Sequence, residues 1–370
     1  MNFNLELKRE EEASISLRSL YRKFGYCQYK MSKFEEYDLY AGNKNFLVSD
    51  SIITFTDTNG KLLALKPDVT LSIIKNTKDE DGLSKVYYNE NVYRVSNSAH
   101  SYKEIMQVGL ECIGDIDLYN ISEVISLAAQ SLLLVSPESV LDLSNMGVVA
   151  SVLGEFNLSA KLEKEVLYLI GEKNVHEASR LLANEGIDED KIENLKKLIT
   201  LHGSPKEVLP KLKNIAPESS AFSALNALCE ILDGSEASKI INIDFSVIGD
   251  MSYYNGFVFK GFVKGVPSSV LSGGQYDNLM SKMNKKSGAI GFAVYLDLLE
   301  NLSNSASEFD CDILVIYDDK SDLKALSAFV REKAAEGKII RAEKEMPLKI
   351  KAKEICKITG GEVVRLENMA

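Results

Sequence analysis

Gln107, Gly109 and Glu111 occupy alternate positions in the run Tyr102 to Gly114. On a strand of period two they share one face, which sets an amide, an open space and a carboxylate in a row. Such groups can hold a small polar ligand by hydrogen bonds when aromatic walls enclose them, and the adjacent Tyr253 and Tyr254 offer such walls. Taken singly, a lone Glu on a strand usually faces water and paired tyrosines usually belong to a core. Only a joint pattern can therefore carry a site. Gly273-Gly274 reads as a turn marker, and no G-x-x-x-x-G-K-[ST] phosphate loop is present. The three histidines (His100, His176, His202) stand far apart in sequence, and the five cysteines (Cys27, Cys112, Cys229, Cys311, Cys356) form no C-x-x-C pair. No metal or other cofactor is expected, and an odd, scattered set of thiols fits a reducing cytoplasm better than a disulfide framework.

Composition bounds the surface these groups sit on. The chain has 370 residues, enough for two or three domains, and a net charge of -11 from 43 Lys+Arg against 54 Asp+Glu. Such a surface has no general attraction for nucleic acid or acidic lipid. The segment Met1 to Glu12 is charged where a signal peptide needs an apolar run, and no 18 apolar residues run together, so no membrane association is expected.

The elements that must position the chemistry follow from periodicity. A helix is predicted from Ser14 to Gly25, then strands at Ile52 to Phe55 and Leu62 to Leu65 joined by Asp57-Thr58-Asn59-Gly60, and after Pro67 a helix over Val69 to Asn76. Val86 to Val95 and Glu104 to Ile113 read as a second hairpin with a loop from Ser96 to Lys103, and a helix follows from Ile121 with Ser122 as its cap. Residues 151–239 turn rich in Lys, Glu, Leu and Ala at helical periods and read as a helical insert in a sheet domain made of 1–150 and 240–305. Strands resume at Ile241 to Val247 and Gly256 to Val263, and Ala293 to Leu302 reads as a helix. Residues 308–370 suggest a small α/β domain: a strand in DILVIY, a helix from Asp322 to Glu336, a strand at Ile339 to Arg341, a helix around Lys349 to Ile358, and the strand EVVRL. The hairpins place the whole in the α+β class with an antiparallel sheet.

Six ordered segments give this pattern a family. LALKPDVT (Leu63 to Thr70), NVYR (Asn91 to Arg94), YKEIMQVGLECIG (Tyr102 to Gly114), MSYYNGFVF (Met251 to Phe259), SGGQYDNL (Ser272 to Leu279) and GAIGFAVYLDLL (Gly288 to Leu299) are similar to the class II histidyl-tRNA synthetase core, over roughly Ser14 to Leu302. A pocket for free histidine needs acceptors for the ammonium group and a carboxylate or hydroxyl for the imidazole N–H. By resemblance, Asp68, Thr70 and Gln107 hold the α-amino end, Glu111 with Tyr253 and Tyr254 reads the imidazole, and Arg94 is left as an anion contact. The C-terminal domain resembles a shortened anticodon-binding domain.

The resemblance is incomplete where phosphoryl chemistry would need cations. The family's F-R-Y-E reads Tyr93-Arg94-Val95-Ser96, its G-R-Y-R reads His100-Ser101-Tyr102-Lys103, and its R-G-L-D-Y-Y reads Gly249-Asp250-Met251-Ser252-Tyr253-Tyr254. The catalytic arginine is thus Gly249, and the arginine of motif three falls on Leu298. An amino-acid half that is kept beside an ATP half that is dismantled resembles the family of regulatory subunits of ATP phosphoribosyltransferase. That resemblance implies a non-catalytic chain that partners the short-form catalytic subunit, binds free histidine, forms a homodimer within a hetero-oligomer, and does not use tRNA. The alternatives are a divergent histidyl-tRNA synthetase and a stand-alone histidine-sensing or tRNA-binding paralogue.

Overall fold

A computed structural model describes residues 7–42, 52–96, 101–216, 219–249, 253–302, 309–359 and 361–366. They fall into two compact units, Lys8–Leu302 and a smaller one that includes the chain from Phe309 onward. The larger unit is built on a nine-stranded sheet. In spatial order its strands are Cys27–Gln28, Ser84–Ser96, Ser101–Gly114, Gly288–Tyr295, Leu271–Gln275, Phe257–Val263, Ser139–Asn145, Ile241–Asp244 and His202–Gly203. All neighbours are antiparallel except the first pair and the pair 139–145 with 241–244. A three-stranded sheet (Phe34–Glu36, Leu62–Leu65, Thr54–Thr56) stands beside it.

Alternation along the central strands divides the residues between two faces. Val108, Leu110, Cys112, Phe292 and Val294 point to the back, where the helices Arg9–Lys23 and Leu118–Val135 bury them in the largest hydrophobic cluster. The second of these helices is 18 residues long and apolar enough to cross a membrane. Here it is a core helix, with Val124, Ile125, Leu127, Ala128 and Leu132 fully buried. The helices of residues 146–232 add Val166, Ile170, Leu182, Leu195 and Leu225 to the same cluster. The front face carries Gln107, Gly109 and Glu111 and is closed by a second cluster that includes Tyr40, Val69, Ile73, Tyr88, Tyr276 and Met280.

Several boundaries differ from those the sequence suggests. The first helix starts at Arg9 because the Glu11 side chain accepts from the Lys8 backbone N–H (2.9 Å), capping it a turn early. Asp117, not Ser122, caps the helix 118–135: its Oδ1 accepts from Asn120 N at 2.9 Å, whereas Ser122 lies inside and donates to the Tyr119 carbonyl. The second hairpin is longer than its polar residues imply, pairing as far as Ser96 with Ser101. Gly273-Gly274 is no turn but mid-strand. A Cβ at Gly274 would sit 2.7 Å from the Phe257 carbonyl and 2.8 Å from the Tyr254 ring, so both glycines serve close approach.

Ala293 to Tyr295 finish a strand, and only Leu296–Leu302 turns, as 3₁₀. In the small unit Ala352–Thr359 is a strand, parallel to Cys311–Ile316 and antiparallel to Glu362–Leu366. The alternate burial of Cys356 and Ile358 is the period-two signal hidden among its lysines. The helix Leu323–Ala335 is capped by Asp322 and covers this sheet through Leu326 and Phe329.

Candidate functional site

The front face of the central strands gathers the predicted residues. Glu111 sits near the C-terminal end of Ser101–Gly114, opposite Val86 on one side and Gly291 on the other. A Cβ on Gly291 would overlap its carboxylate, so the missing side chain makes the room. Both oxygens of this buried acid are engaged: Thr70 Oγ1 donates to Oε1 at 2.8 Å and Tyr276 OH donates to Oε2 at 2.6 Å. Each carboxylate oxygen can accept a second bond, so capacity remains for a ligand N–H.

Burial pushes the Glu111 carboxyl up to about 8, against the lowering by Tyr276 and Thr70, and nearby Asp68 raises it further. A raised acid favours folding in its protonated form. That stability is fully present below the unfolded pKa near 4.5 and is lost as pH rises through about 8. Denaturant unfolding of the ligand-free chain is therefore expected to lose on the order of a few kcal/mol between pH 5 and 8.5, and Glu111→Gln should flatten that slope. Parallel slopes for the two proteins would show that Glu111 does not titrate there.

Asp68 lies in the short link after the strand Leu62–Leu65, and Thr70 opens the helix Thr70–Asn76. Asp68 Oδ1 accepts from Leu71 N at 2.9 Å, which fixes the carboxylate at the start of that helix. Burial holds its carboxyl above the usual range, opposed by its backbone hydrogen bonds and by Arg94. Arg94 donates from Nε to the Pro67 carbonyl at 3.4 Å. Its charge acts on Asp68.

Gln107 is buried on the same face as Glu111, across from Glu90 and Tyr295. The space between them is not open. Tyr88 lies over Gly109, where a Cβ would meet the Tyr88 hydroxyl at 2.5 Å, so a buried phenol stands between amide and carboxylate.

The tyrosine pair closes the site. The rings of Tyr253 and Tyr254 lie 4.4 Å apart, and Tyr253 is 5.8 Å from Tyr276. Burial holds both phenols well above their ordinary value, helped by each other or Tyr295 and by the charges of Asp68 and Glu111. Their segment is tied down on both sides. Asn255 Nδ2 donates to Asp277 Oδ2 at 2.9 Å, Asp277 Oδ1 accepts from Ala289 N at 2.8 Å, and Gln275 Oε1 accepts from Phe257 N at 2.9 Å. The Tyr254 ring is held between two glycines. A Cβ on Gly249 would stand 3.0 Å from its Cγ, and one on Gly274 2.8 Å from its Cδ1. Position 249 therefore has no room for any side chain in this arrangement. Leu298 packs on the main core. Asp250, Met251, Ser252 and His100 lie outside the described residues.

Sequence reasoning missed three single residues and one buried ion pair. Tyr276, Tyr88 and Gly291 take their roles from register. The ion pair is that of Lys66, fully buried, with Glu90, the cross-strand neighbour of Gln107. A lysine beside Pro67 and a glutamate in a strand give no sign of each other at 24 residues' separation. At the far end of the sheet the fold also brings Asp142, His202 and Asp244 together, with ligand atoms within 4.8 Å of one another. Asp244 already accepts from Lys173 Nζ (2.7 Å), Ser246 N (2.9 Å) and Ser246 Oγ (2.7 Å), so the cation this carboxylate holds is an ammonium group.

The site is a buried cluster in which the Asp68 and Glu111 carboxyls and the Gln107 amide lie among the rings of Tyr88, Tyr253, Tyr254 and Tyr276. Comparisons with known proteins bear on the fold and the family. The profile of the family described as histidyl-tRNA synthetase matches residues 4–299. Curated relatives named "ATP phosphoribosyltransferase regulatory subunit" include one from Oceanobacillus iheyensis, 27% identical over 92% of this chain and 86% of its own. Another, from Clostridium kluyveri, is 28% identical over 92% and 91%. A "Histidine--tRNA ligase" from Methanocaldococcus jannaschii is 26% identical over 91% and 83%.

Among solved structures, an ATP phosphoribosyltransferase regulatory subunit/histidyl-tRNA synthetase from Bacillus halodurans superposes with a TM-score of 0.73 at 22% identity, covering 92% of this chain and 90% of its own. An ATP phosphoribosyl transferase (HisG:HisZ) complex from Thermotoga maritima contains a chain that matches with a TM-score of 0.63 at 22% identity, covering 78% and 97%. These likenesses establish an α+β, class II synthetase-like fold, with the antiparallel sheet as its centre. With four-fifths of its length matched by the family profile, the chain belongs to the histidyl-tRNA synthetase family and is similar throughout to ATP phosphoribosyltransferase regulatory subunits.

Proposed function

We propose that the chain is a non-catalytic regulatory subunit of ATP phosphoribosyltransferase, which joins a short-form catalytic subunit, activates it and carries feedback by free histidine. Asp68, Thr70 and Gln107 receive the α-amino group, and Glu111 with Tyr253 and Tyr254 takes the imidazole. The observation that carries this reading is the seat of Tyr254. Its ring fills the place against Gly249 where a synthetase of this family would need a guanidinium on the transferring phosphoryl group. The buried Glu111, with Thr70 and Tyr276 as its donors, supports the imidazole end of the same reading. The names of the relatives and the complex from Thermotoga maritima support the partner.

The partnership has a direct test. Mixed with the short-form catalytic subunit of its own genome, the chain is expected to co-elute in size-exclusion chromatography ahead of either protein alone. Two unshifted peaks at micromolar concentration would contradict the assignment.

A further inference from the structure

On the back of the same unit, away from the Glu111 cluster, a cleft of about 530 Å³ opens between the helix Arg9–Lys23 and the strand Ser84–Ser96. It is lined by Ile15, Arg18, Ser19, Arg22, Lys23 and Tyr87. Three of the six lining residues are cationic and none is acidic, in a chain whose net charge is -11. Arg22 and Lys23 lie in the last helical turn, where cations are favoured by the helix dipole.

The dipole does not account for Arg18, which stands a turn earlier and one turn from Arg22, so the two guanidinium groups repel each other. Nor does it account for the Arg18 Nε, which is buried and has no hydrogen-bond partner. Among the described residues no ion pair neutralises Arg18, Arg22 or Lys23, and all three converge on one volume. Unneutralised cations facing a shared cleft are stabilised by an anion with several acceptor oxygens, which can take the guanidinium donors in pairs.

We propose that this cleft is a binding site for a compact phosphoanhydride, a diphosphate or triphosphate group, distinct from the cluster around Glu111. The size suits a small metabolite. Tyr87 does not offer its ring to a base: it is buried and turned onto Tyr21, with centroids 6.2 Å apart at 54°. Recognition therefore rests on the phosphate groups themselves, and the proposal does not depend on the histidine reading.

Calorimetry of the full chain with inorganic pyrophosphate in low-salt buffer tests it, with ADP as a second probe. Saturable binding is expected, weakened about tenfold or more by Arg22→Gln and by Arg18→Gln, and weakened by added salt. Lys161→Gln, a surface change on another helix, should leave it unaltered. Arg22 is exposed, so Arg22→Gln keeps the test valid if Arg18→Gln disturbs folding. No binding at millimolar pyrophosphate, an affinity unchanged by Arg22→Gln, or ADP binding more than tenfold tighter than pyrophosphate would overturn the proposal.

Discussion

Histidine-dependent exchange of pyrophosphate into ATP is expected to stay at the no-enzyme background, about a thousandfold or more below a working histidyl-tRNA synthetase assayed beside it. Adenylate formation spreads negative charge over phosphoryl oxygens, and the loss of one well-placed donor in such a site costs about a hundred- to a thousandfold. By the resemblance, two cations of the family pattern fall on Gly249 and Leu298. The Tyr254 ring lies on Gly249, and Leu298 packs into the main core. Restoring the arginine alone, as Gly249→Arg, should not restore exchange, because the new side chain must first expel Tyr254. Exchange well above background in the unaltered chain would mean that other cations do the work and that the chain is a synthetase.

The second large effect concerns the ligand. Glu111→Ala is expected to weaken histidine binding by roughly five- to a hundredfold in calorimetry, while Glu80→Ala at the surface leaves it unchanged. Truncation strands an imidazole N–H at a buried position and also leaves the hydroxyls of Thr70 and Tyr276 without their acceptor, a loss of roughly 1 to 3 kcal/mol. Glu111→Gln keeps the volume and should lose less. Glutamine and leucine should bind far less well than histidine, since neither offers a ring N–H between the tyrosine walls. Affinity for histidine unaffected by Glu111→Ala, in the free chain and in the complex alike, would place the histidine site elsewhere.

Much of this site was legible in the sequence because period-two alternation alone puts Gln107, Gly109 and Glu111 on one face. What alternation could not give was what lies above that face. Gly109 reads as open space until register sets Tyr88 upon it, and Gly273-Gly274 reads as a turn until register sets Phe257 and the Tyr254 ring against it. Both errors have one cause: a glycine in a strand signals close approach as well as a bend, and the approaching group comes from a distant segment.

The strand Ala352–Thr359 reads as a helix in the sequence for a related reason. Its lysines mask the alternation, and pairing on both sides overrides local preference. The buried pairing of Lys66 with Glu90 leaves no mark in the sequence, because a charge that is buried only when its partner arrives looks like any surface charge beforehand.

If this chain controls another enzyme through histidine, steady-state turnover of the short-form catalytic subunit will register it. Adding the chain should raise turnover to a saturating plateau, free histidine should lower that plateau, and Glu111→Ala should raise the histidine concentration needed by roughly five- to a hundredfold. Turnover that is the same with and without the chain would show that it does not regulate that subunit.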